Sequence, residues 1–281
     1  MKLATVRTAM GERFGAVIDG GFIDLSARFG PRCADVATLL REGLLDEARA
    51  FCAGVQPDCG LDQLAFLPVV NGPGSRMFAL GVAYKDHQQE TGRADQACPS
   101  LFMKDGRALV GHGQALVKPR VSDQYDFEGE IAMVIGRRGR HIAVDEAMAW
   151  VAGYSIVMDG SVRDYQKHSV TAGKNFDRSG AFGPWLVTAD EIPDPGGMEL
   201  TTVLNGVQRQ STRFDQLMWT PAFIVHYVST ITELQPGDTI STGTPAGVGH
   251  RRNPQLFMKA GDVLEITVSG IGTLRNTVVD E

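Results

Sequence analysis

Several features are missing from this sequence, and each absence excludes a class of proteins. The four cysteines have no C-x-x-C spacing, and the amino-terminal residues contain no apolar segment of the kind that directs secretion. No stretch approaches the roughly 20 consecutive apolar residues that a membrane-spanning helix requires. We therefore expect a cytoplasmic protein with reduced thiols and no membrane partner.

An excess of positive charge is also missing. The chain has 27 lysines and arginines against 33 aspartates and glutamates, which gives a formal net charge of -6. The basic pieces "GRRGR" and "HRR" are too short to follow a phosphate backbone, which the net negative charge would repel. We therefore expect no nucleic-acid partner.

The composition that is present is typical of a globular chain. Hydrophobic residues make up 43% and charged residues 21% of the 281 residues, so neither disorder nor a fibrous protein fits. This length suits either one large domain with a smaller appendage or two modest domains. We place the boundary where the sequence changes in character, with an amino-terminal α/β module over residues 1–70 and the main domain over residues 71–281.

The two parts differ in their predicted secondary structure. In the module, "RFGAVIDGGFIDLS" predicts a hairpin turning at Asp19-Gly20-Gly21, and "ADVATLLREGLLDEARAFCA" has the periodicity of one amphipathic helix. The main domain has short strands with turn signals such as Asn205-Gly206, and one clear helix, in which Pro221 occupies the first turn. We expect a β-rich α+β fold.

Two glutamates interrupt the apolar strand "DFEGEIAMVIGRRG". Side chains of a strand alternate between its faces, so Glu128 and Glu130 point to the same side. Carboxylates this close repel each other unless one is protonated, both are solvated, or a cation lies between them. A strand end that reaches solvent and a metal-binding pair are therefore both open from this pattern alone.

A third carboxylate ends the next apolar strand, "VAGYSIVMDG". Asp159 could complete an oxygen-rich site for Mg²⁺ or Mn²⁺, which favour carboxylate, carbonyl and water ligands. Zinc is not favoured, because five of the histidines lack the H-x-x-x-H or H-x-H spacing of a zinc site. We interpret these as structural or surface residues: His112, His141, His168, His226 and His250.

Several motifs occur in the order seen in the fumarylacetoacetate hydrolase family, and together they make the chain similar to that family over about residues 76–281. They are "YDFEGEIAMVIGRRGR", "AGYSIVMDGSVRDYQ", "GKNFDRSGAFGPWLVTADEIPDP", "LNGVQRQ" and "LQPGDTISTGTPAGVG". The resemblance implies a mixed β-sandwich roll that pairs as a homodimer. It makes Glu128, Glu130 and Asp159 the ligands of a divalent ion, usually Mg²⁺.

The same resemblance implies the catalytic groups. Lys174 matches the family lysine, whose ammonium can stabilise an enolate, although its surroundings are otherwise typical of a surface loop. His87 and Glu90 stand three residues apart in the polar segment "YKDHQQE", which aligns with the segment that closes over the metal and supplies a His-Glu dyad. Without the resemblance, this segment is typical of a solvated helix.

Further positions match the family's substrate contacts. Arg163 and Gln166 follow Asp159 at the family's spacing, and Thr244 matches its pocket threonine. Hydrogen bonds that brace a loop are the alternative role for all three. Gly160 and Val162 stand where relatives often have valine and alanine, a departure we expect to be mild because it leaves Asp159 and Arg163 intact.

These residues predict a metal-dependent hydrolase that cleaves the carbon–carbon bond of a 2,4-dioxo acid. The products would be a 2-oxo acid such as pyruvate and a carboxylic acid, in a reaction of the type used in aromatic-compound catabolism. Relatives also isomerise, hydrate or decarboxylate unsaturated 2-oxo diacids at the same site, and sequence spacing does not rank these reactions. A non-catalytic metal-binding scaffold is the remaining alternative.

Overall fold

The computed structural model describes residues 1–72, 74–94 and 96–281, and strands dominate it. The strands are β1 (Lys2–Thr8), β2 (Gly11–Ile18), β3 (Gly21–Asp24), β4 (Cys59–Gly60), β5 (Ala65–Phe66), β6 (Met77–Gly81), β7 (Ser100–Lys104), β8 (Leu109–Val110), β9 (Leu116–Lys118), β10 (Tyr125–Asp126), β11 (Gly129–Ile135), β12 (Val151–Met158), β13 (Ser161–Val162), β14 (Gly180–Thr188), β15 (Glu199–Leu204), β16 (Val207–Arg213), β17 (Thr239–Ser241), β18 (Val263–Val268) and β19 (Gly272–Asp280). The helices are α1 (Leu25–Phe29), α2 (Val36–Arg41), α3 (Leu45–Cys52), α4 (Lys85–Thr91), α5 (Arg163–Gln166), α6 (Val170–Lys174) and α7 (Pro221–Ile231).

Two sheets carry most of these strands. The larger has the order β4-β3-β2-β1-β14-β12-β11-β17-β6-β7, with β5 paired to β1 and β8 paired to β14. It is mixed, because β17 runs parallel to β6 and β8 parallel to β14 while the other pairs are antiparallel. The smaller sheet has the order β16-β15-β18-β19-β9, and β10 pairs with β13 in a short ribbon. The predicted β-rich α+β class is confirmed.

The larger sheet lies between the smaller sheet on one face and amino-terminal helices on the other. Its central strand β11 shows this arrangement. Ile131 and its neighbours of the same parity pack in the core with Ile266 of the smaller sheet. Val134, of the opposite parity, packs with Leu39 of α2. Because both faces of β11 are covered, every residue of the strand is buried. Any polar side chain on this strand must therefore find its partners inside the protein.

The amino-terminal strands continue the larger sheet. β1 pairs antiparallel with β14, with Leu3 opposite Leu186. The predicted hairpin joins β2 to β3, and its turn residues Asp19 and Gly20 have φ of 49° and 75°, as a tight two-residue turn requires. The division into 1–70 and 71–281 stays a prediction, since the sheet runs through both parts.

The helix predicted over residues 34–53 is two helices. α2 ends because Gly43 takes φ of 64°, which lets the Gly43 and Leu44 N–H groups bond back to the Leu40 and Leu39 carbonyls. α3 then begins at Leu45. The apolar spacing does not show the break, because both helices bury side chains in the same core.

The turn and helix predicted later in the chain are confirmed. Asn205 and Gly206 have φ of 52° and 76° in the turn between β15 and β16. α7 starts at Pro221, and the Thr220 hydroxyl accepts a hydrogen bond from the Phe223 N–H, 3.2 Å away. In the described part of the chain, no helix is long and apolar enough to cross a bilayer.

Candidate active site

Strand pairing brings the three predicted carboxylates together. β11 and β12 are antiparallel with Glu130 opposite Val157, and the Asp159 N–H donates to the Glu128 carbonyl over 2.9 Å. This register places the residue after β12 beside the residue before β11. One oxygen from each of Glu128, Glu130 and Asp159 lies within 4.8 Å of the other two.

All three carboxylates are buried, so the alternative interpretation, a strand end that reaches solvent, is wrong. Glu128 is 6% exposed, and Glu130 and Asp159 are 0% exposed. Burial of a carboxylate is unfavourable unless cations or hydrogen-bond donors compensate it. The surroundings of each acid therefore show what the site is built to hold.

Two buried lysines contact Asp159. The Lys174 Nζ lies 2.6 Å from Glu128 Oε2 and 2.6 Å from Asp159 Oδ2, and over the ring of Phe102. The Lys104 Nζ lies 2.7 Å from Asp159 Oδ1 and also donates to the Lys174 carbonyl. Lys174 therefore lies at the carboxylates as the resemblance implied, and not in a surface loop.

Arg163 joins the carboxylates to the neighbouring loop. Its guanidinium lies 2.7 Å from Asp126 Oδ2 through Nη2 and 2.8 Å from Glu128 Oε1 through Nη1. Nη1 also donates to Gln166 Oε1 over 3.0 Å. Asp126 accepts in addition from the Gly249 and His250 N–H groups, so this one acid holds both Arg163 and the loop at residue 249.

Charge is nearly balanced in this buried cluster, but one carboxylate oxygen has no partner. Four acids face three cations, which leaves one negative charge. Glu130 Oε2 accepts from the Ser241 hydroxyl and from the Gly243 N–H, whereas buried Glu130 Oε1 has no hydrogen-bond partner among the residues that the structure describes. The uncompensated charge is therefore at Glu130.

The pKa values of the two glutamates move in opposite directions. Burial raises the pKa of Glu130 above its usual range, and the negative charges of Asp159 and Glu128 raise it further. Burial also acts to raise the pKa of Glu128, but the positive charges of Lys174 and Arg163 outweigh it and hold that pKa low. Glu130 is thus the acid that gains most from a further cation.

The predicted His-Glu dyad is formed. One turn of α4 places His87 Nδ1 2.8 Å from Glu90 Oε2. Burial opposes ionisation of Glu90, but the hydrogen bonds from His87 and from the Gly247 N–H outweigh it and lower the pKa of Glu90. An ionised carboxylate only accepts hydrogen bonds, so Nδ1 carries the proton and Nε2 of a neutral His87 is the basic nitrogen.

α4 is fastened to the loop that follows β17. Besides the bond from Gly247 to Glu90, the Ala246 N–H donates to Asp86 over 3.3 Å. Gly247 has φ of 104°, and a Cβ there would lie 2.2 Å from the Arg209 carbonyl oxygen, so glycine is required for this approach. The polar helix predicted as a lid is held here by its carboxylates rather than by an apolar stripe.

The predicted residues surround one cavity of about 260 Å³. Its wall contains His87, Glu128, Arg163, Gln166, Lys174 and Thr244. Glu90 and Asp159 do not line the cavity but contact His87 and Lys174 of its wall, and Glu130 lies beside Glu128. The Thr244 hydroxyl donates to the Gly129 carbonyl and accepts from Gln210, so Thr244 braces β11, and its predicted substrate contact stays a prediction.

Sequence reasoning missed three residues of this site. Lys104 ends the apolar run "LFMK", and a lysine in that position was a usable signal. Asp126 continues the alternation of Glu128 and Glu130 by one more step, so the same strand argument could have found it. Ser241 gave no signal, since only the pairing of β17 with β11 brings it to Glu130.

Comparison with known proteins assigns the chain to a family. A family model described as fumarylacetoacetate (FAA) hydrolase C-terminal matches residues 76–279. The chain belongs to the fumarylacetoacetate hydrolase family. The resemblance predicted from the quoted motifs is thereby confirmed, and the protein is an enzyme of a family that contains hydrolases, isomerases and tautomerases.

Relatives within this family carry out different reactions. The mitochondrial oxaloacetate tautomerase Fahd2a of Rattus norvegicus is 35% identical over 268 residues, which cover 93% of this chain and 85% of the relative. The 2,4-didehydro-3-deoxy-L-rhamnonate hydrolase of Sphingomonas sp. (strain SKA58) is 36% identical over 247 residues, 80% of this chain and 87% of the relative. Family membership therefore does not select the reaction.

A solved structure extends the similarity to the whole chain. The maleylpyruvate hydrolase of Sphingobium sp. SYK-6, in complex with manganese(II) ion and pyruvate, superimposes with a TM-score of 0.84 at 29% identity, covering 100% of this chain and 99% of that one. The shared fold includes the amino-terminal strands as well as the region that the family model matches.

The site of this family member fits a divalent cation. Three buried carboxylates converge, one of their oxygens has no partner, and one negative charge is left uncompensated. Carboxylate oxygens are the ligands that Mg²⁺ and Mn²⁺ prefer. Glu128, Glu130 and Asp159 are thus the residues that would hold such an ion.

Proposed function

We propose that this protein hydrolyses the carbon–carbon bond of a 2,4-dioxo acid of the acylpyruvate type. Water adds across the bond, which gives a 2-oxo acid such as pyruvate and a carboxylic acid. The observation that carries the proposal is the meeting, around one small cavity, of a histidine with a free basic nitrogen, a buried ammonium group and three convergent carboxylates.

Cleavage beside a carbonyl group produces an enolate, whose negative charge needs stabilisation. When bound at the three carboxylates, Mg²⁺ or Mn²⁺ would polarise the 2-oxo group and share that charge. The Lys174 ammonium is a second source of positive charge, fixed beside Glu128 before any substrate arrives. Arg163 and Gln166 in the cavity wall would orient the carboxylate of the 2-oxo acid.

His87 is placed to activate water. Its Nε2 would take a proton from water as the oxygen attacks the distal carbonyl, and Glu90 would stabilise the imidazolium that forms. The proton then passes to the carbon that leaves as the enolate, which regenerates neutral His87 and completes the 2-oxo acid. Each group therefore ends the reaction in the state in which it began.

Tautomerisation of a 2-oxo diacid is the second candidate. The observation that favours it is the 35% identity to an oxaloacetate tautomerase over 93% of this chain. A base at the position of His87 could move a proton at C3 of the substrate without attack by water. Both reactions pass through the same enolate, and they differ in whether a carbon–carbon bond breaks.

Product analysis tests the proposal. The purified protein would be incubated with 2,4-dioxo acids and with oxaloacetate, with and without EDTA, while ultraviolet absorbance and the products are followed. We expect pyruvate and a carboxylic acid from a 2,4-dioxo acid, and loss of this activity on chelation. Interconversion of keto and enol forms with no cleavage product from any 2,4-dioxo acid would select the tautomerase instead.

A further inference from the structure

Tyr84, the residue before α4, has a buried hydroxyl group without a hydrogen-bond partner among the described residues. The residue is 0% exposed, and its Oη bonds to no described side chain or backbone group. Burial of an unpaired hydroxyl is unfavourable, and native proteins normally pair such a group with a protein atom or an ordered water molecule. The surroundings of Tyr84 therefore indicate what this hydroxyl binds.

The backbone places Tyr84 beside the loop that holds Glu130. Gly243 donates its N–H to Glu130 Oε2, and a Cβ on Gly243 would lie only 2.9 Å from the Ala83 Cβ. Glu130 Oε1 is also buried and, within the described part of the chain, also without a partner. Two unpaired polar atoms thus come from neighbouring parts of the structure.

The charge of Glu130 acts on the Tyr84 hydroxyl. Burial raises the pKa of Tyr84 above its usual range, and the negative charge of Glu130 makes the next largest contribution. The Thr242 hydroxyl lies nearby, but it donates its proton to the Ile131 carbonyl over 2.7 Å. Tyr84 and Glu130 do not bond to each other directly, so a small molecule between them would satisfy both.

The segment that carries Tyr84 is fixed on both sides. Val82 has φ of 54°, a conformation that is rare for a β-branched residue and persists only where the surrounding structure imposes it. Tyr84 forms an isolated antiparallel bridge with Leu217, and α4, which carries His87, begins at the next residue. The Tyr84 hydroxyl is therefore attached to the helix of the His-Glu dyad as well as to the carboxylate site.

We propose that Tyr84 is a positioning residue of the cation site, and that its hydroxyl shares a bound water molecule with Glu130 Oε1. Water suits this place because it can accept from a phenol and donate to a carboxylate oxygen at the same time. Hydrogen bonds of this outer kind orient the groups that ligate an ion. The inference rests on the cation of the proposed function but not on the reaction, so its tests measure binding and stability rather than turnover.

The first test removes the hydroxyl and measures metal binding. Tyr84→Phe keeps the ring, and we expect it to weaken Mg²⁺ binding by about 10–100-fold in titration calorimetry, as loss of an outer hydrogen-bond partner does. The matched control is Tyr154→Phe, at a buried tyrosine of β12 whose pKa is raised by burial alone. The control should retain the parent affinity. An affinity of Tyr84→Phe within about twofold of the parent overturns the proposal.

Thermal unfolding in EDTA tests the shared water without the cation. If the hydroxyl is bound to Glu130 through water, Tyr84→Phe removes a partner from a buried carboxylate and should lower the melting temperature by several degrees. The loss should be smaller in the Glu130→Gln background, because the effects of coupled residues are not additive. A melting temperature of Tyr84→Phe at or above the parent value, or an equal loss in both backgrounds, contradicts the link between the two residues.

A spectroscopic measurement connects Tyr84 to the ion. Saturation with Mg²⁺ should change the ultraviolet spectrum of a buried tyrosine in the parent and in Tyr154→Phe, and Tyr84→Phe should lose this component. A difference spectrum of Tyr84→Phe identical to that of the parent overturns the proposal. Absence of Mg²⁺ and Mn²⁺ binding by the parent would overturn the cation of the proposed function and with it this role, whereas parent binding that Tyr84→Phe fully retains overturns the role of Tyr84 alone.

Discussion

Asp159 has a buried ammonium group on each of its oxygens. Lys104 occupies Oδ1 and Lys174 occupies Oδ2, both at less than 3 Å. Removal of one member of a buried ion pair is destabilising, because it leaves the other charge uncompensated. The two lysines differ in position, since Lys174 lines the cavity and Lys104 does not. Lys104 is therefore a positioning residue, which holds Asp159 and the Lys174 carbonyl in place.

Replacement of this positioning lysine should destabilise the metal-free protein. We expect Lys104→Met to lower the free energy of unfolding by about 3–5 kcal/mol in EDTA, measured by urea denaturation. Mg²⁺ should restore part of the loss, because a ligand of the native state stabilises it. The control Lys118→Met, which breaks an ion pair to fully exposed Asp123, should cost no more than about 1 kcal/mol. A loss for Lys104→Met as small as that of the control would contradict this role.

Replacement of Glu130 should separate metal binding from stability. Gln keeps an oxygen for Ser241 and Gly243 but removes the uncompensated charge, and the raised pKa of Glu130 shows that its ionised form is unfavourable in the native protein at neutral pH. We expect Glu130→Gln to unfold in EDTA at the parent temperature or above it. Its gain in melting temperature from Mg²⁺ should be largely lost.

Titration calorimetry measures the same effect directly. Loss of a ligand should weaken Mg²⁺ binding by more than the roughly 10–100-fold that loss of an outer hydrogen-bond partner costs. The control Glu42→Gln changes an exposed glutamate of the amino-terminal part. Parent-like Mg²⁺ affinity in Glu130→Gln would remove Glu130 from the ligands.

At the residue scale, the sequence predicted what lies along one strand and missed what lies across strands. Alternation along β11 correctly put Glu128 and Glu130 on one side. The partners Lys104 and Ser241 come from β7 and β17, so their contacts depend on sheet order, which no local pattern in a single sequence contains. Lys174 and His87 were identified from the family resemblance instead, because a resemblance reflects tertiary contacts that no local pattern contains.

At the element scale, the close approach of the residues after β12 to those before its antiparallel neighbour β14 leaves no space at Gly160. A Cβ there would lie 1.6 Å from the Ser179 carbonyl oxygen, which is backbone and has no rotamer to change. A valine at this position therefore does not fit this backbone, while the glycine leaves Asp159 and Arg163 in the positions that the resemblance implied. Because Gly160 follows Asp159, this close approach also restricts the backbone that carries that carboxylate.

The substitution Gly160→Val should separate these strands. Overpacking of this kind lowers the free energy of unfolding by about 1–3 kcal/mol and occasionally more. We expect a loss in the upper part of this range or beyond it, measured by urea denaturation. Mg²⁺ affinity should fall with it, because Asp159 moves. The control Gly106→Ala, at a turn with open space around the glycine, should change stability by no more than about 0.5 kcal/mol. Parent-like stability of Gly160→Val would show that β12 and β14 separate easily.

The elements themselves were predictable where a local signal sets them. Turn residues with positive φ, such as Asn205 and Gly206, ended strands where the sequence indicated. The break at Gly43 was missed because the helical spacing of apolar residues continues through it and tertiary packing hides the change of axis. The glycine within "LLREGLL", a residue that commonly ends a helix, was the available signal.

At the scale of the whole molecule, the larger sheet separates the amino-terminal helices from the smaller sheet and holds the carboxylates at one end of its central strands. The homodimer implied by the family is a prediction about this whole assembly. We expect light scattering after gel filtration to give about twice the chain mass of 30.3 kDa. A mass of one chain at micromolar concentration would contradict it.

The central claim is that His87, supported by Glu90, activates water beside an enolate-stabilising centre. It is tested by one variant, His87→Asn, and two assays on the same acylpyruvate: cleavage, and exchange of the C3 protons with solvent deuterium. We predict that cleavage falls by roughly 10²–10⁴-fold, the usual contribution of a positioned acid–base group, while exchange falls much less because Lys174 and the carboxylate site remain. Equal loss of both rates would contradict water activation and assign His87 to proton transfer at carbon, as in a tautomerase.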